Sequence, residues 1–124
     1  MTGTFDVSSE ARECGGQKVY ILRLAGTIDA SATEGLDAEF TAAIDGGGQH
    51  FILDFSRVEY ISSAGLRLML KLRRAALEGG GRVKVAAARR AIRENVLDAL
   101  GFSRLVDLCV DVDEALESVT PTNG

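Results

Sequence analysis

Ser62 and Ser63 stand where the run Asp54-Phe55-Ser56-Arg57-Val58-Glu59-Tyr60-Ile61-Ser62-Ser63-Ala64-Gly65-Leu66 passes from an apolar stretch into a segment of helical composition. A serine at a helix start is exposed beside unpaired backbone N–H groups, and the helix dipole there favours an anion. A phosphate on such a hydroxyl is accommodated without melting the helix, and it adds about −1.5 to −2 charges at neutral pH. The plainer reading of the same pair is an N-cap and a first helical residue, worth ~1 kcal/mol of helix stability. Two carboxylates come next. Asp29 precedes a helical run, which suits a cap or a contact residue. Asp54 ends an apolar strand, where open α/β sheets place their crevices, although accepting hydrogen bonds from the following turn is its plainer role. A turn also explains Ser56. Cys14, Cys109 and His50 show none of the close spacings of a zinc or redox motif and read as free thiols and a lone imidazole. An enzyme using Cys109, Asp29 or Asp54 would lack a base, because His50 opens a strand at the opposite end from those carboxylates.

The elements that position these residues follow from periodicity. Phe5–Glu13 and Lys18–Ala25 read as strands joined in a hairpin by Gly15-Gly16. Gly26-Thr27-Ile28-Asp29 breaks the pattern, and Ala30–Asp45 is helical, with Leu36, Phe40, Ala43 and Ile44 at helical spacing and Ser31 or Thr33 as N-cap. His50–Phe55 is a near-continuous apolar strand, followed by a linking stretch through Ile61. Ser63–Glu78 is the second helix, Arg82–Ala87 a strand, Ala91–Leu100 a third helix with Gly101 after it, Leu105–Val110 a last strand and Asp113–Val119 a last helix. Two strands followed by alternating helix and strand give an α/β sandwich: a mostly parallel sheet with an antiparallel hairpin at its start and about four helices. Gly46–Gly48 and Gly79–Gly81 read as helix stops. Neither is followed by Lys-Ser or Lys-Thr, so they do not predict a phosphate loop.

At 100° per residue, Arg67, Lys71, Arg74 and Glu78 form one polar stripe of the second helix, and Leu66, Met69, Leu70, Leu72, Ala76 and Leu77 spread over a wide apolar arc, with Leu68 towards its edge. That arc is broader than one sheet contact requires. The excess either packs on the neighbouring helix or stays at the surface as a docking site.

A chain of 124 residues with 46% hydrophobic and 26% charged residues forms one domain with a sizeable core and is not disordered. Its net charge of −4 is the wrong sign for sequence-independent nucleic-acid binding. No basic and then apolar leader, and no apolar run long enough to span a bilayer, is present, so a cytoplasmic protein without direct membrane insertion is expected. Thr120–Gly124 reads as a frayed polar tail to a domain of residues 1–119.

The stretch Asp54–Leu66 resembles the STAS domain of bacterial anti-sigma factor antagonists, where a strand ending in Asp-hydrophobic-Ser leads through a hydrophobic pair to an Asp-Ser-Ser/Thr-Gly-Leu helix start. Gly26-Thr27-Ile28-Asp29 is similar to that family's Gly-x-hydrophobic-Asp turn, and Asn95–Leu116 to its closing helix, Gly-hydrophobic stop, strand and acidic last helix. The resemblance implies a binding module, not an enzyme, with no cofactor and no metal. It binds an anti-sigma factor of the serine-kinase type, releases a sigma factor, and is switched off when the kinase phosphorylates it; a separate serine phosphatase would reverse the step. It implies Ser63 as the phosphorylated residue, with Ser62 as the alternative, and Asp29, Ser62, Ser63, Ala64, Gly65, Arg67, Leu68 and Lys71 as the partner-facing set. Ser62 replaces the family's acidic residue and Ala64 its second hydroxyl. That departure supports the other function the resemblance allows, an unphosphorylated STAS adaptor in a lipid-transport or sensory complex.

Overall fold

The computed structural model describes residues 4–119, so the tail expected at 120–124 lies outside the described residues. Five strands form one sheet in sequence order: β1 (Phe5–Cys14), β2 (Gln17–Ile28), β3 (His50–Ile61), β4 (Val83–Ala86) and β5 (Asp107–Cys109). β1 pairs antiparallel with β2, and every later pairing is parallel. The helices are α1 (Thr33–Asp45), α2 (Ser63–Glu78), α3 (Arg90–Ile92) and α4 (Val112–Val119). This is the expected α/β architecture.

The two sheet faces divide the core. Leu22, Leu24, Phe51, Leu53 and Phe55 point to one face and pack under α1, α2 and the α3 region through Leu36, Phe40, Met69, Leu72, Ile92 and Leu97. Val19, Ile21, Ile52 and Ala86 point to the other, where α4 covers them with Ala115 and Val119. Strands buried on both faces are the reason β2 and β3 read as near-continuous apolar runs rather than alternating ones.

Several boundaries differ from expectation. β2 does not stop at Ala25 but runs through Ile28, and β3 continues to Ile61 through the residues expected to link it to α2. These extensions stabilise each other: Ala25 pairs with Arg57, Gly26 with Val58, Thr27 with Tyr60 and Ile28 with Ile61. Register shifts between Arg23 and Ala25 and between Gly26 and Thr27 let β3 carry extra residues, which breaks the period that marks a strand in sequence. Gly26 has φ +92°, and a Cβ there would lie 1.9 Å from the Thr4 carbonyl oxygen, so the backbone just ahead of β1 approaches too closely for any side chain. The first helix begins with a 3₁₀ turn, Ala30–Ala32, whose cap is Asp29 rather than Ser31 or Thr33. The expected third helix is only one α-turn long before it widens into a π-type segment, Arg93–Asp98, and Phe102–Arg104 forms a short 3₁₀ turn before β5. α2 has the predicted limits, and Gly79 closes it.

His50, at the start of β3, is buried. Its Nδ1 accepts from the Arg82 N–H at 3.3 Å and its Nε2 lies 3.0 Å from the Gln17 side-chain oxygen. Burial, and then the charges of Lys84 and Arg82, hold its pKa below the ordinary histidine value. The native state therefore keeps the ring neutral while the unfolded chain takes up a proton on acidification through about 6.5. Stability is unaffected by this group above that value and falls as pH drops below it. Urea denaturation at pH 7.5 and pH 5.5 is expected to show a wild-type loss larger than that of His50→Gln; equal losses would remove His50 as the cause.

Candidate functional site

Because Ile28 and Ile61 are paired at the ends of adjacent parallel strands, the residues that follow them leave the sheet side by side. These are Asp29 and Ser62. The Ser62 N–H donates to the Ile28 carbonyl at 2.8 Å, which fixes the start of α2 against the end of β2. Ser62 is extended (φ −84°, ψ 168°), and its hydroxyl accepts from the Gly65 N–H at 3.3 Å, so Ser62 is the N-cap. Ser63 is the first helical residue, and its side chain is exposed to solvent. The Gly65 and Leu66 amides are taken by the hydroxyl and carbonyl of Ser62. The Ser63 and Ala64 amides are the first-turn donors that an intrahelical ladder cannot satisfy.

Asp29 is occupied as a cap. One carboxylate oxygen accepts from the Ser31 N–H (3.0 Å), the Ser31 hydroxyl (2.6 Å) and the Ala32 N–H (3.2 Å). The Ser31 hydroxyl bond is the chief reason its pKa lies below the ordinary aspartate value. A carboxylate that is ionised at neutral pH thus sits on the chain segment beside the cap of α2.

Gly65 is buried under this corner. A Cβ on it would lie 2.8 Å from Ile28 Cγ2 and 2.9 Å from Ile61 Cγ1. The helix rests directly on the ends of β2 and β3. Ala64 and Leu68 are half-buried, Leu68 against the main core. Lys71 is tied down: its ammonium donates to Asp37 at 2.6 Å and to Thr41 at 3.3 Å, bracing α2 against α1. Arg67 and Arg74 are exposed and form no ion pair with any described residue. The excess apolar arc lies at the surface, with Leu70 42% and Leu77 50% exposed. Ser63, Arg67, Leu70, Arg74 and Leu77 consequently share one solvent-facing stripe, within an arc of about 80°. Tyr60, 51% exposed, stands beside Thr27 just ahead of the cap. Its place on the rim was not visible in sequence, because it depends on the extra residues in β3.

The other candidates have structural partners. Asp54 accepts from the Ser56 N–H at 2.9 Å, but inside β3, at its register shift, and not in the turn expected after a strand end. With Ser56, Ala87, Asp111 and Asp113 it borders an open depression of about 270 Å³. Burial holds the Cys109 thiol above its ordinary range, which leaves little of the nucleophilic thiolate at neutral pH. Among the described residues no group of His, Cys, Asp and Glu side chains is arranged to hold a metal ion. No helix among them is long and apolar enough to cross a membrane.

A parallel sheet closed by a hairpin, with a capped helix resting on two strand ends, defines a class, and the sequence comparison agrees: the STAS domain profile matches residues 14–115. The chain belongs to the STAS domain family. A relative from Bordetella bronchiseptica, "Putative anti-sigma factor antagonist BtrV", is 34% identical over 84 residues, covering 68% of this chain and 72% of the relative. The fold is similar to that of an anti-sigma factor antagonist from Mycobacterium paratuberculosis, with a TM-score of 0.76 and 21% identity over 92% of this chain and 94% of that one. It is also similar to the Bacillus cell fate determinant SpoIIAA in its phosphorylated form, with a TM-score of 0.68 and 25% identity over 94% of this chain and 99% of that one.

Proposed function

We propose that this STAS domain is an anti-sigma factor antagonist: it binds an anti-sigma factor of the serine-kinase type through the α2 corner, releases the sigma factor, and is switched off by phosphorylation of Ser63. The observation that carries the choice of residue is the division of labour between the two serines. The Ser62 hydroxyl is engaged by the Gly65 N–H, whereas Ser63 presents its side chain to solvent at the first helical position. The likeness to anti-sigma factor antagonists supports an anti-sigma factor as the partner, and the likeness to a phosphorylated SpoIIAA supports control by phosphate.

The mechanism is partner exchange governed by charge. The unmodified corner offers a small hydroxyl on the same exposed stripe as Arg67 and Leu70, a mixed apolar and basic surface suited to a partner with acidic and apolar groups. A phosphate on Ser63 would neighbour the Ser63 and Ala64 amides and the positive end of the helix dipole, so the antagonist itself tolerates it. The partner meets a dianion where it had met a hydroxyl, and it loses contact through repulsion or desolvation. The kinase supplies ATP and Mg²⁺, and a separate phosphatase reverses the step.

Incubation with the cognate anti-sigma kinase and ATP is expected to add a single phosphate by intact-mass measurement. Ser63→Ala abolishes it, and Ser62→Ala retains it at some cost in helix stability. Phosphate lost in Ser62→Ala instead would move the site by one residue. A stable complex without any phosphate would favour the adaptor reading, which the replacement of the family's acidic residue by Ser62 supports.

A further inference from the structure

We infer that β1 is a self-association edge, pairing antiparallel with β1 of a second copy about a two-fold axis midway between the two Ser9 residues, so that two five-stranded sheets become one continuous sheet. β1 is the open edge of the sheet, ten residues long and in unbroken register with β2. It carries no proline, lysine or bulge, three of the devices that keep natural edges from pairing.

The direction of its backbone groups is set at both ends. The Thr27 N–H donates to the Thr4 carbonyl at 3.0 Å, and Cys14 faces Gln17 across the two-residue Gly15-Gly16 turn. Hydrogen-bonded pairs alternate along an antiparallel ladder, so the even-numbered residues of β1 bond to β2. Phe5, Val7, Ser9, Ala11 and Glu13 therefore aim their N–H and C=O groups outwards. Only a register that opposes odd residues to odd residues can use them.

Charge then selects among those registers. Centred on Ser9, the ladder sets Ser9 against Ser9, Val7 against Ala11 and Phe5 against Glu13 as hydrogen-bonded pairs. It sets Asp6 against Arg12 and Ser8 against Glu10 as the closer, non-hydrogen-bonded pairs. The two-fold axis makes the Asp6 and Arg12 pairing twice. Centring on Glu10 would oppose Glu10 to itself, and centring on Ser8 would oppose Asp6 to Glu10. Centring on Ala11 leaves Phe5 to Val7 unpaired and drives the hairpin turns past the partner strand. In the single copy Arg12 already bonds Glu10 at 2.6 Å on its own strand, with its side chain 45% exposed and on the same face as Asp6, positioned to reach across.

Sedimentation velocity of the full chain from low to high micromolar concentration is expected to show a reversible dimer. Asp6→Arg and Arg12→Asp each weaken it by about tenfold or more through two like-charge oppositions, and the double swap restores it. Ser9→Pro removes an outward N–H while sparing the bonds to β2, and is expected to be monomeric with an unchanged circular dichroism spectrum. Amides of Val7, Ser9 and Ala11 should gain hydrogen-exchange protection with concentration. A monomer at every concentration overturns the proposal, as does a dimer indifferent to both charge reversals; should Ser9→Pro misfold, the charge swap still decides.

Discussion

Ser63→Asp is expected to weaken binding to the anti-sigma partner by at least about a hundredfold, the scale of an uncompensated charge buried in an interface. The substitution separates binding from folding. Ser63 is exposed, and an acidic residue in the first turn of α2 interacts favourably with the helix dipole. The melting temperature should therefore stay level or rise while affinity falls. Calorimetric titration of the partner, paired with a thermal melt of each variant, checks both halves. Ser63→Ala should retain binding and lose regulation. A Ser63→Asp protein that binds as tightly as wild type would remove charge as the switch, whatever the mass measurement showed.

Gly65→Val is expected to destabilise the protein by about 3 kcal/mol, at the upper end of what overpacking costs. The methyl-bearing carbon has nowhere to go: Ile28 Cγ2, Ile61 Cγ1 and Ile61 Cδ1 lie 2.8, 2.9 and 3.3 Å from the position of its Cβ. Ile28 is fully buried and Ile61 nearly so, each at the end of a strand in a paired register, so neither has space to retreat. Relief requires α2 to lift from the sheet, which strains the Ser62 N–H bond to Ile28 and shifts Ser63 relative to Asp29. Urea denaturation should show the lost stability, and kinase assays at a temperature where the variant remains folded should show slower phosphorylation. A variant of wild-type stability would mean that the corner is softer than its contacts indicate. Ser63→Ala lies two positions away and should cost little, because its side chain is exposed.

Much of this arrangement was legible before any coordinates. α2 was readable to the residue because everything that delimits it is local: a serine N-cap, an apolar arc at helical period, and glycines at its end. The mostly parallel sheet with its hairpin followed from alternating strands and helices, since short connections leave few topologies open. The role of Asp29 as a cap was also readable, because its partners lie within three residues of it.

What the local signal could not carry was anything settled by a distant partner. β3 extends to Ile61 because β2 supplies hydrogen bonds there, and the register shifts that allow this erase the period by which a strand is read. The fate of the broad apolar arc was likewise undetermined: Leu66, Met69 and Leu72 are buried while Leu70 and Leu77 are exposed, and only the positions of α1 and the sheet decide which side is covered. Lys71 and Arg67 looked equivalent, yet Asp37 on α1 claims the first and leaves the second free.

Local residues encode most of the elements, the parallel sheet with its hairpin, and the placing of a serine pair, cap and first residue, at the head of α2. Each of these is encoded by residues within a turn or two of one another. Packing between distant segments settles how tightly the helix seats on Ile28 and Ile61, which side of its apolar arc is covered, and that ten residues of β1 keep an open edge. Those depend on contacts between segments far apart in the chain, whose geometry no local spacing records.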